Sequence, residues 1–405
     1  KKRNFRPQPT AAHLAARYVY KNSTDNDSIQ KRGKKTMQLT LDDIIKEARG
    51  LPIVPLPGTT VYQEKIPLLK KYVDDTLSSN PAIHELIGNN PLQTMYDNHS
   101  HHAAFMMTVF SIGNYELLAR TVPWVYRAYF AHNFSYDYFP LELKTWLDAL
   151  EKHTTSDMTT EIKSVYAWMI KRHENMIYLS QTETELQLPI SEDWLERKNS
   201  FLAAVLEGDH RKCLVIAKES IPTGKDIEQF YLHIMQPVMY EIGMLWERGT
   251  ISVAQEHLAS AIVGRVMAST SMLEVPPNNF MAKAVITSAP NEFHEIGAWM
   301  ISDILEHEGW DVRYLGANTP AKDLLELLRT YQPGVLAMSV TMPFNILKAI
   351  EIITAIKKDV ELNKILIIVG GRPFNENIEL WRSTGADYFA ANATEIKTLL
   401  RDMEK

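Results

Sequence analysis

Between residues 66 and 180 the apolar positions recur at spacings of three and four, most clearly over 95–112, 115–132, 141–153 and 161–179. That period is the mark of amphipathic helices and predicts an all-helical domain. Ahead of it, Pro52, Pro55 and Pro57 crowd a short segment ending at Gly58 that reads as an extended linker. A second helical stretch divides into four segments at 194–208, 210–219, 225–247 and 252–273, separated by Gly208-Asp209, Pro222-Thr223-Gly224 and Gly249-Thr250. Helices of this length with short loops suit an antiparallel four-helix bundle.

From residue 281 the pattern changes to short apolar runs alternating with helical ones. Strands are predicted at 283–288, 310–315, 334–340, 365–369 and 387–390, with helices beginning near Glu295, Ala321, Asn345, Asn375 and Thr394. Unbroken runs such as Ile365-Leu366-Ile367-Ile368-Val369 belong to strands covered on both faces, so the fold expected here is a Rossmann-like (flavodoxin-like) five-stranded parallel sheet. The whole is expected to be a multidomain α and α/β protein. Its predicted parts are a basic tail and proline-rich linker (1–60), a helical domain (61–185), a four-helix bundle (190–276) and the Rossmann-like domain (281–405).

With 405 residues, two or three cores are needed. The single cysteine, Cys213, excludes an intrachain disulfide framework and any cysteine-based zinc or iron–sulfur site. No apolar run reaches the ~20 residues of a membrane span, and no secretory leader opens the chain, so a cytoplasmic location with no membrane partner is expected. The net charge of −6 conceals ten Lys and Arg against two Asp in residues 1–36, which leaves −14 on the remainder. A basic arm of this kind can bind nucleic acid or an acidic surface; the plainer reading is a solvated tail or a leader ahead of Met37.

Two short constellations carry candidate chemistry. The first is Glu292-x-His294-x-x-Gly297, following a predicted strand. A histidine at the carboxyl edge of a parallel sheet stands where such sheets bind ligands and can offer a neutral imidazole to a metal. Glu292 can hold its other ring nitrogen, fixing the tautomer, and Gly297 lets the backbone pass close to a bulky group. The second is Trp246 separated by nine residues from Glu256-His257. If the segment folds as helix-turn-helix, an apolar plate and two polar groups face one pocket.

Over residues 190–405 these motifs resemble the cobalamin-binding module of methionine synthase and its relatives, and the Trp-x9-Glu-His element resembles that of the light-sensing, adenosylcobalamin-dependent branch. The resemblance implies that His294 ligates cobalt from below and that Trp246 covers the adenosyl group. Val253 falls where that pocket has a small aliphatic residue, and Glu256 and His257 complete its wall. It also implies that Ser339 and Thr341 are the hydroxyl pair for the dimethylbenzimidazole tail, that Gly370 and Gly371 admit that tail, and that Ala390 closes the pattern. Two departures stand out: Glu292 replaces the Asp of methyl-transferring members, and Glu247 follows the Trp where the best-known light-sensing repressors have a histidine.

Those repressors carry an amino-terminal DNA-reading helix-turn-helix. No such pattern is found here, so nucleic acid is not an expected partner. The amino-terminal domain instead concentrates His and aromatic residues. His99, His101 and His102 do not share a helix face, which argues against a metal cluster. A planar, carboxylate-bearing chromophore is the alternative to core packing: Asp97 and His101 for pyrrole nitrogens, Arg127 for a propionate, and Phe105, Trp124, Tyr126 and Tyr138 as walls. In this the chain is similar to the photocobilins, which combine cobalamin with biliverdin. The expectation is a non-enzymatic photoreceptor using adenosylcobalamin and a non-covalent biliverdin. Light would change a homo-oligomer or the contact with a downstream partner. The alternatives are a corrinoid carrier serving separate methyltransferases and a sensor of cobalamin concentration.

Overall fold

The computed structural model describes residues 38–182, 190–223, 226–271 and 282–403. The basic arm lies outside them. The helical region opens with α1 (Leu41–Ala48), where Thr40 and Asp43 form a reciprocal capping box, and continues through α2 (Leu56–Ser78), α3 (Leu92–Ile112), α4 (Tyr115–Ala131), α5 (Tyr138–His153), α6 (Ser156–Lys171) and α7 (His173–Gln181). The segment expected to be a linker is extended only as far as Pro55, because Pro57 falls in the first turn of α2, where a missing N–H costs nothing. Ile44, Ile45 and Ala48 of α1 are buried in the same core, so the helical region reaches further toward the amino terminus than predicted. The single helix expected over 161–179 is broken at Arg172 into α6 and α7.

The bundle contains α8 (Glu192–Glu207), α9 (His210–Ser220), a long rod α10 and α11 (Val253–Thr270). The rod runs through Ile227–Phe230, a π-helical turn at Tyr231–Met235, and Gln236–Glu247. Pro237 accounts for the turn: a proline ring clashes with the carbonyl four residues back and has no N–H to give, and widening the helix there removes the clash.

The carboxyl-terminal domain alternates β1 (Lys283–Ser288), α12 (Ile296–His307), β2 (Asp311–Tyr314), α13 (Ala321–Tyr331), β3 (Val335–Ser339), α14 (Ile346–Lys358), β4 (Leu366–Gly370), α15 (Arg372–Glu376), β5 (Tyr388–Phe389) and α16 (Ala393–Met403). All pairings are parallel and the order is β2-β1-β3-β4-β5, the expected doubly wound sheet. The predicted strands form: β1 with the predicted bounds, β2, β3 and β5 one residue shorter at each end, and β4 shifted by one residue. The helix expected near Asn375 begins instead at Arg372 and is only five residues long.

Strand alternation divides the sheet's side chains between two cores. Val285, Leu336, Met338, Ile367 and Val369 join the core that contains α13, α14 and the amino-terminal helices. Ala284, Ile286, Ala337 and Ile368 face α12 and α16. The bundle packs beyond, with Met300 and Ile304 of α12 entering its core. Tyr231, in the π turn, donates to Asp303 Oδ2 of α12 at 2.5 Å and ties bundle to sheet domain. No helix among the described residues is long and apolar enough to cross a membrane.

Candidate functional site

The sheet order reverses between β1 and β3, and the loops leaving their carboxyl ends define a crevice where doubly wound folds bind ligands. Glu292, in the loop after β1, is completely buried. Its Oε1 accepts from His294 Nδ1 at 2.5 Å and from the His294 backbone N–H at 3.2 Å. Its Oε2 accepts from the backbone N–H groups of Thr341 and Met342, at 2.9 and 2.8 Å, and from Asn345 Nδ2 at 3.1 Å. Burial pushes the carboxyl's pKa up, but the hydrogen bonds from His294, Met342 and Asn345 outweigh it and hold the group below the ordinary carboxylate range.

Glu292 thus fixes the His294 ring with Nδ1–H pointing inward. The His294 side chain is 58% exposed, and its Nε2 has no partner among the described residues. Burial lowers the imidazole pKa, the Glu292 carboxylate more than reverses this, Glu256 adds to the rise and Arg372 opposes it. The contribution of Glu256 puts the start of α11 within electrostatic reach of His294. Binding of a metal at Nε2 displaces the proton held there. Among the described residues no three His, Cys, Asp or Glu side chains converge as metal ligands. A lone oriented imidazole therefore suits a metal that brings its own ring of donors, as a corrin does.

The rest of the sheet edge fits that reading. The Ser339 and Thr341 hydroxyls are half-buried at the end of β3 and have no hydrogen-bond partner among the described residues. A Cβ placed on Gly297 would meet nothing within 4 Å, so there is room beside the first turn of α12. Gly370 and Gly371 were expected to make space for a nucleotide tail, but a nearer reason emerges. At Gly371 φ is +115° and a Cβ would stand 1.9 Å from Val340 O; at Gly370 it would stand 2.7 Å from Ala390 O. The glycines let the backbones at the ends of β3, β4 and β5 close upon each other, with Ala390 buried behind them.

The bundle supplies the opposite wall. Ser252 and Gln255 form a capping box that starts α11 immediately after the turn from α10, and this lays Val253, Glu256 and His257 along its first turns. Val253 is 47% exposed and the His257 side chain 74%; Glu256 accepts from Ser260 Oγ. Trp246 ends α10 half-buried, its ring against His132 at the end of α4, centroids 5.0 Å apart. Its neighbour Glu247 is buried and binds Arg127 Nη1 at 2.5 Å.

The residues considered for a chromophore in the helical region have separate partners. Asp97 is exposed and accepts from Gln93. His101 stacks on Phe344 at 4.8 Å, in the turn that also presents Asn345 to Glu292. Tyr126 stacks on Phe139 at 3.9 Å and meets His173 through its hydroxyl. Tyr138, buried, binds His99 Nε2 at 2.9 Å. Phe105 is buried and Trp124 half-buried. Arg127, expected to meet a propionate, donates to Glu247, to Ser180 O at 2.7 Å and to Thr182 O at 3.4 Å. Three participants were missed in the sequence: Asn345, His132 and Arg372. Each lies far along the chain from the motif it serves and carries no local signal.

Residues 282–399 match a family model described as a B12 binding domain, and residues 198–269 match a second model of the same description. Over 151 residues the chain is 30% identical to the HTH-type transcriptional repressor CarH of Myxococcus xanthus, which covers 37% of this chain and 48% of the repressor. It is 28% identical over 211 residues to CarA, a repressor of the same type and organism, covering 51% and 68%. To dimethylamine corrinoid protein 3 of Methanosarcina mazei it is 24% identical over 168 residues, covering 41% and 99%. Among solved structures, the Methanosarcina barkeri monomethylamine corrinoid protein aligns with a TM-score of 0.45 at 19% identity, covering 51% of this chain and 98% of that one. The chain thus spans about half the length of the repressor CarH. Because two of these relatives are HTH-type repressors, the expectation that nucleic acid is not a partner finds no support among them.

Proposed function

We propose that the paired B12-binding domains hold adenosylcobalamin between the bundle and the sheet, and that the protein senses light through it. The observation that carries the cobalamin part of this reading is the His294–Glu292 pair, in which an exposed Nε2 is aimed outward by a buried, fully hydrogen-bonded carboxylate. When bound, the cofactor supplies a cobalt–carbon bond that light absorbed by the corrin breaks. His294 would ligate its metal through Nε2, and Ser339 and Thr341 would bind its tail. Trp246, Val253, Glu256 and His257 would line the opposite side of the cofactor.

Trp246 would lose contacts if the group it packs against left, and its helix is joined to the helical region by Glu247–Arg127 and His132. A change of state follows from the loss of differential contacts, and its readout is a light-dependent homo-oligomer or partner contact. A biliverdin in the helical domain extends the reading; it requires Arg127 to exchange Glu247 for a propionate. The test is to load the protein with adenosylcobalamin in the dark, with and without biliverdin, and follow absorption and mass in solution under green light. Photolysis with a change in mass supports the light sensor. An unchanged mass sinks it, and no far-red band on adding biliverdin removes the bilin. His294→Ala is expected to abolish the imidazole-ligated spectrum; its survival would overturn the ligand assignment.

A second reading, a corrinoid methyl carrier, is favoured by the match to nearly the whole length of a dimethylamine corrinoid protein. It requires a methyl donor and a reduced cobalamin cycle, and it is indifferent to light.

A further inference from the structure

His132 follows the last turn of α4, and its Nδ1 lies 2.7 Å from Ala128 O. A carbonyl only accepts, so Nδ1 carries a proton, and in the neutral ring Nε2 presents a lone pair. That nitrogen is buried and has no hydrogen-bond partner among the described residues. Buried polar atoms are nearly always paired; among the described residues only His132 Nε2, Arg172 Nε and Ser220 Oγ are not, and of these His132 is the one that lies against Trp246.

Its surroundings indicate which partner. The ring rests against Trp246. The turn that follows Trp246 lies directly on the end of α4: at Gly249, with φ +66°, an added Cβ would stand 2.6 Å from Ala131 O. A ligand that displaced the Trp246 indole would therefore come next to the His132 ring.

We infer that His132 is a specificity-determining residue whose Nε2 accepts a hydrogen bond from the upper ligand of the cobalamin. It thereby selects a group bearing O–H or N–H donors, such as a nucleoside, over one that bears none, such as methyl. This rests on the reading above that cobalamin lies between His294 and Trp246. The physical ground is the asymmetry of buried hydrogen bonds. The nitrogen is already buried and unpaired in the free protein, so a ligand that donates to it relieves a penalty that a ligand without donors leaves in place, a difference of roughly 10–100-fold.

The experiment is a dark competition between adenosylcobalamin and methylcobalamin for the full chain, its His132→Phe variant, which keeps a ring but no acceptor, and its His132→Gln variant, which restores one. The adenosyl-over-methyl preference is expected to fall roughly 10–100-fold in His132→Phe, with methylcobalamin affinity retained, and to recover in part in His132→Gln. Retained methylcobalamin binding shows that the variant is folded; if His132→Phe binds neither, the His132→Gln ratio decides. The same ratio in all three proteins overturns the inference while leaving the cobalamin site intact. A wild-type chain that binds neither cobalamin overturns the underlying reading instead. If hydroxocobalamin bound to His132→Phe differs in spectrum from the wild-type complex, the nitrogen ligates the metal, and the inference fails in that way too.

Discussion

On the sheet side of the site, the Glu292 carboxylate receives five hydrogen bonds, all from residues 294–345 of one domain. On the bundle side, Trp246 and Glu247 rest on α4 of the helical region, while Val253 and His257 stand largely exposed. The lower wall is set within a single fold before any ligand arrives. The upper wall is assembled across two or three segments and keeps an unpaired acceptor within it. On the proposed reading, the rigid floor would fix where the metal goes, and a roof shared between domains would let its state be felt elsewhere.

The floor breaks most severely at Gly371. Gly371→Ala forces a Cβ to within 1.9 Å of Val340 O in a backbone conformation that L-residues avoid, and a loss of more than ~3 kcal/mol is expected in chemical denaturation. On the roof, Arg127→Ala strands the buried Glu247 charge. It is expected to cost about 3 kcal/mol in thermal or chemical unfolding, and to increase proteolysis between helical region and bundle. If the melt is unchanged, α4 and the bundle are not energetically joined there.

The connection between bundle and sheet adds a pH dependence. Burial pushes the Asp303 carboxyl up to about 7, the Tyr231 hydrogen bond works in the opposite direction, and Glu306 adds to the rise. In the unfolded chain the same carboxyl titrates near 3.8. The folded state therefore favours the neutral acid. Its contribution is complete below about pH 4 and is lost as pH rises toward 7, on the order of a few kcal/mol in all. Asp303→Asn stays neutral, so its denaturation midpoint at pH 8 should exceed that of the wild type, with the two converging near pH 4. A parallel pH profile for both proteins would remove Asp303 from the interface energetics. The smallest effect is expected at His257: with the side chain 74% exposed, His257→Ala should change stability by less than ~0.5 kcal/mol. A larger loss would mean that the roof is more tightly organised than its exposure indicates.

Much of this was legible in the sequence because it is local. Apolar runs of four to six residues between helical periods identified the parallel strands, and Glu292-x-His294 placed a carboxylate and an imidazole close enough to pair whatever surrounds them. The proline-rich segment misled because Pro57 at the start of a helix reads like Pro in a linker; only the position of the first turn distinguishes them. The π turn of α10 was likewise foreshadowed by Pro237 yet not deducible from it, since a proline can also kink or end a helix.

By itself the sequence determined the fold class and the spacing of both motifs, since these follow from periodicity and from position along one chain; that the motifs point to cobalamin came from their resemblance to a known family. The tertiary structure decided which groups meet across large separations. Asn345 and the amides of Thr341 and Met342 reach Glu292 from some fifty residues away, His132 lies against Trp246, and Arg127 faces Glu247 from 120 residues away. Such pairings depend on how whole elements pack, and an unpaired nitrogen on His132 becomes visible only once everything around it has been placed.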